Sequence, residues 1–170
     1  DQLLGNSRVE LTFEVEFAGS GTAGTAPKYD ALLKSCGLAS TVVASTSVTY
    51  APVSTGFDSS TIYVFAEGIR HKMTGCRGTF SINASVGEIP VVNFTMTGNY
   101  VDPTDTASPS TTYSNQDTPK IFKAGNTTSL SVLGYAASLE SFSFDIANEV
   151  IFRELVGSTK SVNITNRAPA

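Results

Sequence analysis

The stretch VELTFEVEF, residues 9–17, alternates apolar and polar side chains without a break. Every odd position is apolar and every even position is polar, which is the period of a β-strand with one buried and one solvent-facing side. Three of the four polar residues are glutamates, Glu10, Glu14 and Glu16. The alternation therefore predicts a glutamate ridge on the exposed face of this strand. On charge alone, the ridge also fits the solvent face of an edge strand, where charge deters unwanted pairing.

A glycine-rich turn, residues 19–25, follows this strand, and the sequence predicts one short helix after it, over about residues 27–36. Pro27 suits a first helical turn, and Gly37 suits a C-terminal cap. The helix is too short to be stable alone, so packing against the rest of the fold must stabilise it. Its predicted apolar face is formed by Tyr29, Leu32, Leu33 and Cys36.

The remaining sequence has the alternation and the turn residues of an antiparallel β protein. Residues 67–68 and 87–90 carry hairpin signals between alternating runs. Residues 102–120 break the rhythm with three prolines, and a loop of that length is usually functional or disordered. We therefore predict a mainly β fold over residues 1–170, an antiparallel β-sandwich or partial barrel with one short flanking α-helix, in a single domain. The strands predicted after the helix are residues 41–52, 60–66, 69–73, 79–86, 91–100, 121–123, 129–133, 137–146, 150–156 and 160–165.

The composition excludes several classes of function. Only 15% of the 170 residues are charged, the net charge is -4, and 42 residues are serine or threonine. A chain that grips nucleic acid through its phosphates needs a basic footprint, which this composition does not provide. No apolar run approaches the roughly 18–20 residues that span a bilayer. The two cysteines, Cys36 near the helix end and Cys76 in a predicted turn, are too few for a disulfide framework; we expect free thiols, with a single bridge left open.

Motifs that carry catalytic or ligand-binding chemistry are weak in this sequence. Residues 19–24 match G-x-G-x-x-G, but the preceding strand alternates with glutamate and no acid follows about 20 residues later, so we reject a dinucleotide site. His71 is the one histidine, and without a second histidine or a cysteine cluster it does not indicate a zinc site. No nucleophile elbow surrounds a serine, so the sequence does not indicate a catalytic triad either. The acids of residues 102–120 fit no calcium loop. We predict no enzyme activity, no metal and no cofactor.

Several stretches together resemble the major tail tube protein of long, non-contractile-tailed phages and related prophages. The resemblance runs the whole length of the chain in order, and its specificity comes from the number and order of the motifs, none of which is catalytic. The stretches that carry it are RVELTFEV (8–15), AGSGTAGTAP (18–27), LLKSCGL (32–38), SVTYAPVS (47–54), HKMTGCRGT (71–79), NEVIFRELVG (148–157) and ITNRAP (164–169).

The resemblance implies a structural protein whose subunits form rings, typically hexameric, that stack into a virion tail tube after assembly in the host cytoplasm. Inner strands of such rings join into one β-lined channel that carries DNA without binding it specifically. The implied partners are further copies of the chain and other tail proteins such as the tape measure and tail terminator, with no membrane. Candidate lumen-facing residues are Glu10, Glu14, Glu16, Asp145 and Glu149. Candidate subunit-contact residues in the 102–120 loop are Asp102, Pro103, Asp105, Pro109, Tyr113 and Asp117.

The resemblance carries one further expectation, and the composition leaves one alternative open. Its members are longer at both ends, so we expect the present chain to be the central portion of such a protein. An alternative hypothesis is an extracellular β-sandwich adhesin or immunoglobulin-like binding module, because the composition is compatible with one. That alternative predicts an export signal on the parent gene and could include a Cys36–Cys76 bridge.

Overall fold

The computed structural model describes residues 7–127, 131–154 and 161–165 of the chain. The paired strands are antiparallel and one short helix accompanies them, which confirms the predicted mainly β class; the described residues form no closed barrel. Within the same residues, no helix has the length and apolar character needed to cross a membrane. In chain order the elements are β1 (Arg8–Glu16), α1 (Asp30–Ser35), β2 (Leu38–Val43), β3 (Ser47–Pro52), β4 (Ser60–Ala66), β5 (Ile69–Ser85), β6 (Val91–Asp105), β7 (Ser131–Val132), β8 (Tyr135–Ala136), β9 (Ser141–Asp145), β10 (Val150–Arg153) and β11 (Ser161–Ile164).

The principal sheet has the strand order β1-β6-β5-β4, and β9 joins it by pairing with β5. β5 is long enough to serve two partners on the same edge. Its residues 69–76 pair with β4, and its residues 81–85 pair with β9. The other edge of β5 pairs with β6, which in turn pairs with β1 along residues 91–99. β1, β6, β5 and β9 therefore form a four-stranded half-sheet with β1 and β9 at its two edges.

One face of this half-sheet carries the main core. Phe94 and Met96 of β6 are fully buried, and the Phe94 ring stacks on Phe13 at 5.6 Å and lies 5.9 Å from the Phe80 ring. The helix α1 covers this face through Leu33, next to Cys36. Burying large aromatic and aliphatic side chains in one contiguous cluster is the main favourable term in folding.

Three two-stranded antiparallel sheets accompany the principal sheet: β2–β3, β7–β8 and β10–β11. The β10–β11 pair contacts β5 and β6. Arg77 of β5 ties this pair to the sheet, because its guanidinium donates to the carbonyl of Val162 at 2.7 Å and to that of Phe57 at 2.8 Å. Asn148 forms another tie: its Nδ2 donates to the carbonyls of Cys36 and Gly78.

Several predicted boundaries are wrong. The single strand predicted for residues 41–52 is the β2–β3 hairpin, which turns at Ser45 with a positive φ of 56°. Residues 121–123 form no strand; an isolated bridge joins Ala124 and Thr127 instead. The helix spans six residues rather than ten, because a turn in which Asp30 N–H donates to the Pro27 carbonyl precedes it.

The predicted turn between residues 73 and 79 is also wrong. β5 continues through Gly75, Cys76 and Gly78, with a register shift against β6 between Thr74 and Arg77. Cys76 is therefore a buried strand residue and not a turn residue. A β-bulge lets the strand continue past the positive-φ Gly75.

Candidate functional site

The second face of the half-sheet is polar, and we call it the polar face. The glutamates of β1 lie on it and are exposed, whereas Val9, Leu11, Phe13 and Val15 pack against the core, as the alternation predicts. Cross-strand pairing aligns polar side chains from all four strands. The row at Glu14 continues through Asn93 and Ser81 to Asp145. The polar face consists of Glu10, Thr12, Glu14, Glu16, Asn93, Thr95, Thr97, Thr79, Ser81, Asn83, Ser141, Ser143 and Asp145.

Neutral hydroxyl and amide groups bond to one another on the polar face. The hydroxyls of Thr12 and Thr95 lie 3.4 Å apart, and Ser143 Oγ donates to Asn83 Oδ1 at 2.9 Å. In the part of the chain that the structure describes, the one ion pair joins Lys34 to Asp30, away from this face. The glutamates of the polar face therefore project as anions without a cationic partner among the described residues.

The structure separates two acids that the sequence analysis grouped. Asp145 ends β9 on the polar face, and its Oδ1 accepts a hydrogen bond from the Ala147 N–H at 2.8 Å. Glu149 is exposed in the connection between β9 and β10, and its carbonyl accepts from the Thr165 N–H. Glu149 thus belongs to no strand of the half-sheet, whereas Asp145 shares a row with Glu14.

A cationic region that the sequence analysis missed lies on the same side of the sheet, beyond the acids. Arg8 is two residues before Glu10 on β1, and Arg70 and Lys72 share this side on β5 by alternation. The Arg70 guanidinium lies 5.5 Å and the Lys72 ammonium 5.9 Å from the centroid of the Tyr63 ring. Cations at these distances interact favourably with an aromatic face. The alternation of Arg70 and Lys72 within a predicted strand was the signal that could have revealed this region.

The predicted 102–120 loop begins later than expected. Asp102, Pro103 and Asp105 belong to β6, which contradicts their assignment to the loop. A register shift places Asp102 and Pro103 together opposite His71, and such a bulge accommodates a proline because the proline has no N–H for the ladder.

Residues 106–120 contain no helix or strand. Pro109 and Tyr113 of this segment are exposed, with 80% of Tyr113 accessible to solvent. Asp117 anchors the far end, because its N–H donates to the Gly19 carbonyl at 2.8 Å. The segment therefore presents an exposed tip between two fixed ends.

Other groups with chemical potential lie apart from the polar face. His71 borders an apolar groove with no carboxylate or serine among its described lining residues. Residues 7–127, 131–154 and 161–165 contain no group of three histidine, cysteine or acidic side chains placed to hold a metal. The thiols of Cys36 and Cys76 are buried, and the Cys36 thiol donates to Met96 Sδ at 3.9 Å. Burial raises the pKa of the Cys76 thiol to about 11.

Comparison with known proteins identifies the family. A family model described as phage tail tube protein matches residues 1–168. No curated protein and no solved structure matches the chain significantly. The match extends over nearly the whole chain and agrees with a β fold that displays an extended polar face. The chain therefore belongs to the phage tail tube protein family.

Proposed function

We propose that copies of this chain form rings, six subunits each, that stack into the tube of a virion tail, with the polar face lining the channel for DNA. The observation that carries this proposal is the row of acidic, amide and hydroxyl groups that crosses four neighbouring strands at Glu14, Asn93, Ser81 and Asp145. A channel for DNA must admit the polymer without holding it.

The charge of the polar face suits that requirement. Phosphates are repelled by the carboxylates of Glu10, Glu14, Glu16 and Asp145. The hydroxyl groups carry no positive charge, so they do not release counterions from DNA by binding its phosphates. The four acids are exposed to water, so a hydrated film can separate wall and DNA. Glu149 is the weakest of the predicted lumen residues, because it lies outside the half-sheet.

The 106–120 segment is the proposed contact between neighbouring subunits or rings. Pro109 and Tyr113 are exposed at its tip, and a tyrosine with 80% of its surface in water is well suited to burial against a partner. Cover by a partner would fix the conformation of this segment, which has no helix or strand of its own. We extend the proposal to tape measure and tail terminator proteins as partners, and to assembly in the host cytoplasm.

Negative-stain microscopy of the full-length protein at high concentration tests the proposal. We expect rings and hollow tubes, and persistent monomers under all conditions would refute it. The lining is tested with the variant Glu10→Lys/Glu14→Lys, whose tubes should retain DNA that wild-type tubes release. The variant Glu140→Lys/Glu154→Lys is the matched control, because it changes two exposed glutamates outside the polar face. Equal DNA retention by both variants would reject the polar face as the lining.

A further inference from the structure

Charge changes sign along the side of the principal sheet that carries the polar face. On β1, Arg8 lies two residues before Glu10, about 7 Å further along the strand. On β5, Lys72 and Arg70 lie two and four residues beyond the row that contains Arg8, because Arg8 pairs with Asn99 and Asn99 pairs in turn with residue 74. The acids and the cations therefore lie toward opposite ends of the same side.

The two cations of β5 approach one aromatic ring. The Arg70 guanidinium lies 5.5 Å and the Lys72 ammonium 5.9 Å from the centroid of Tyr63 on β4, which pairs directly with Lys72. Each cation is attracted by the ring. Because both lie close to the same ring, two positive charges are also held near each other, and like charges repel.

No described acid neutralises this pair of cations. Asp102 and Asp105 lie on the neighbouring strand β6, and Glu67 lies in the turn between β4 and β5. In residues 7–127, 131–154 and 161–165, however, the one ion pair with nitrogen and oxygen within 4.0 Å joins Lys34 to Asp30. Two neighbouring cations without a counter-charge in contact attract an anion from solution.

The Arg70 side chain also has an unsatisfied donor. Its Nε is buried and has no hydrogen-bond acceptor among the described residues. A buried donor without an acceptor costs free energy, so a ligand that supplies oxygen atoms to a reoriented guanidinium relieves that cost. The planar fork of an arginine matches two oxygens of an oxyanion, and a lysine adds a compact positive charge.

The site is open to solvent and offers a third donor. Tyr63 is 47% exposed, and its strand β4 lies at the edge of the principal sheet. The Tyr63 hydroxyl takes part in none of the side-chain hydrogen bonds of the described residues, so it is available to donate to an oxygen atom of a ligand. A ligand can therefore reach the ring, the hydroxyl and the two cations from outside.

We infer that Arg70 and Lys72, assisted by the Tyr63 hydroxyl, bind a phosphate group. An arginine fork together with a lysine ammonium is well suited to phosphate oxygens. In a channel for DNA, the phosphate belongs to the DNA backbone, and for this source alone the inference rests on the proposed function. A free phosphate ion offers the same chemistry, and the experiments below separate the two sources.

Such a site makes the proposed channel wall uneven along its length. Each copy repels phosphates at Glu10 and Glu14 and binds a phosphate at Arg70 and Lys72. Two cations neutralise at most two phosphate charges, so each contact is weak, sensitive to salt and quickly broken as DNA advances. The inference thus deepens the proposed function by adding a weak contact with DNA to a wall that otherwise repels it.

Fluorescence anisotropy of a labelled short DNA duplex, titrated with the full-length protein below the concentration of assembly, tests the site. Arg70→Gln/Lys72→Gln should lower the affinity by about tenfold or more at low salt. It should also reduce the slope of log affinity against log salt by about two, because two phosphate contacts are lost. Lys120→Gln/Lys123→Gln is the matched control, since it removes two exposed positive charges outside the principal sheet. Equal losses in the two variants overturn the inference, because net charge alone would then attract the DNA.

Inorganic phosphate provides the arm that separates the sources. Phosphate should raise the thermal unfolding midpoint of the wild-type protein more than chloride does at equal ionic strength, because a ligand of the folded chain stabilises it. General salt effects act on all variants alike. The extra rise should therefore disappear in Arg70→Gln/Lys72→Gln and persist in Lys120→Gln/Lys123→Gln. A rise that persists in both variants overturns the site. Phosphate stabilisation without duplex binding supports the site and overturns DNA as its source, and absence of both effects overturns the site.

Two single variants keep the test decisive. Circular dichroism verifies folding, and Lys72→Gln beside Lys123→Gln replaces the double variants if the loss of Arg70 prevents folding; equal affinities for the duplex would then overturn the site. Tyr63→Phe keeps the ring and removes the hydroxyl, so it should weaken binding by a few-fold, and unchanged affinity overturns the role of the hydroxyl.

The outcomes for the phosphate site are distinct from those for the tube. Rings and tubes formed by a chain that binds neither phosphate nor duplex overturn the site and leave the tube standing. Binding of phosphate at Arg70 and Lys72 by a protein that stays monomeric under all conditions supports the site and refutes the tube.

Discussion

The two faces of the half-sheet are made by alternate residues of the same strands, yet they obey different constraints. On the core face, a Cβ atom at Gly98 would lie 2.6 Å from Cys76 Sγ, so even one methyl group is excluded without movement. On the polar face, side chains such as Glu10 and Glu14 project into solvent with no described partner. The core face therefore determines whether the chain folds, and the polar face is left available for its proposed role as a channel lining.

The largest effect should come from the centre of the core face. Phe94→Ala should lower the free energy of unfolding by about 3–5 kcal/mol, because it opens a cavity between the Phe13 and Phe80 rings. Urea denaturation followed by circular dichroism measures the change. Thr95→Ala, the next residue on the opposite face, is the control and should change the free energy by less than about 1 kcal/mol. Similar losses at both positions would break the contrast between the faces.

Arg77 is an exception to the contrast between the two faces. It pairs with Thr97 on the polar side of the sheet, yet its side chain stabilises the fold. Arg77→Ala should cost about 2–3 kcal/mol of unfolding free energy, since carbonyls of Phe57 and Val162 lose a charged donor. Arg77→Lys keeps the charge and loses the fork geometry, so it should restore only part of the loss. Full rescue by lysine would mean that charge alone holds the β10–β11 hairpin.

The sequence was most informative where one pattern continued without a break. The alternation of β1 correctly predicted that Glu10 and Glu14 lie on the solvent-facing side of the strand. The strand prediction failed between residues 73 and 79, where a turn was expected and β5 continues. Gly78 is instead required within β5, because a Cβ there would collide with the Thr95 carbonyl. Such a close approach between strands is a property of tertiary packing and leaves no local pattern.

The polar face shows the same limit. Its β1 glutamates were predictable from local alternation. Asp145 shares a row with Glu14 only through the register of three successive strand pairs, while Glu149, four residues later, does not. Alternation within the predicted strand 69–73 puts Arg70 and Lys72 on one common side. The register shift between Thr74 and Arg77 decides that this side joins the polar face, and no local pattern predicts that shift.

A smaller effect is expected in the pH dependence of stability, through the buried Cys76 on the core face. Burial raises the pKa of Cys76 from 9.0 to about 11, so the thiol stays neutral in the folded chain while the unfolded chain ionises. The contribution of the neutral Cys76 thiol to the free energy of unfolding is therefore fully present below pH 9 and should be lost as the pH rises toward 11. Cys76→Ala should have a shallower decline over that interval in urea denaturation. An unchanged slope would mean that Cys76 is not the group responsible.

The smallest effect on folding should come from the polar face itself. Glu14→Gln removes an exposed charge with no described partner, so the free energy of unfolding should change by no more than about 0.5 kcal/mol. Urea denaturation of the variant beside wild type measures this. A loss comparable to that of Arg77→Ala would assign Glu14 a structural role. If the change is as small as expected, an effect of the same variant on DNA passage tests the proposed lining of the channel, because a folding defect can no longer explain it.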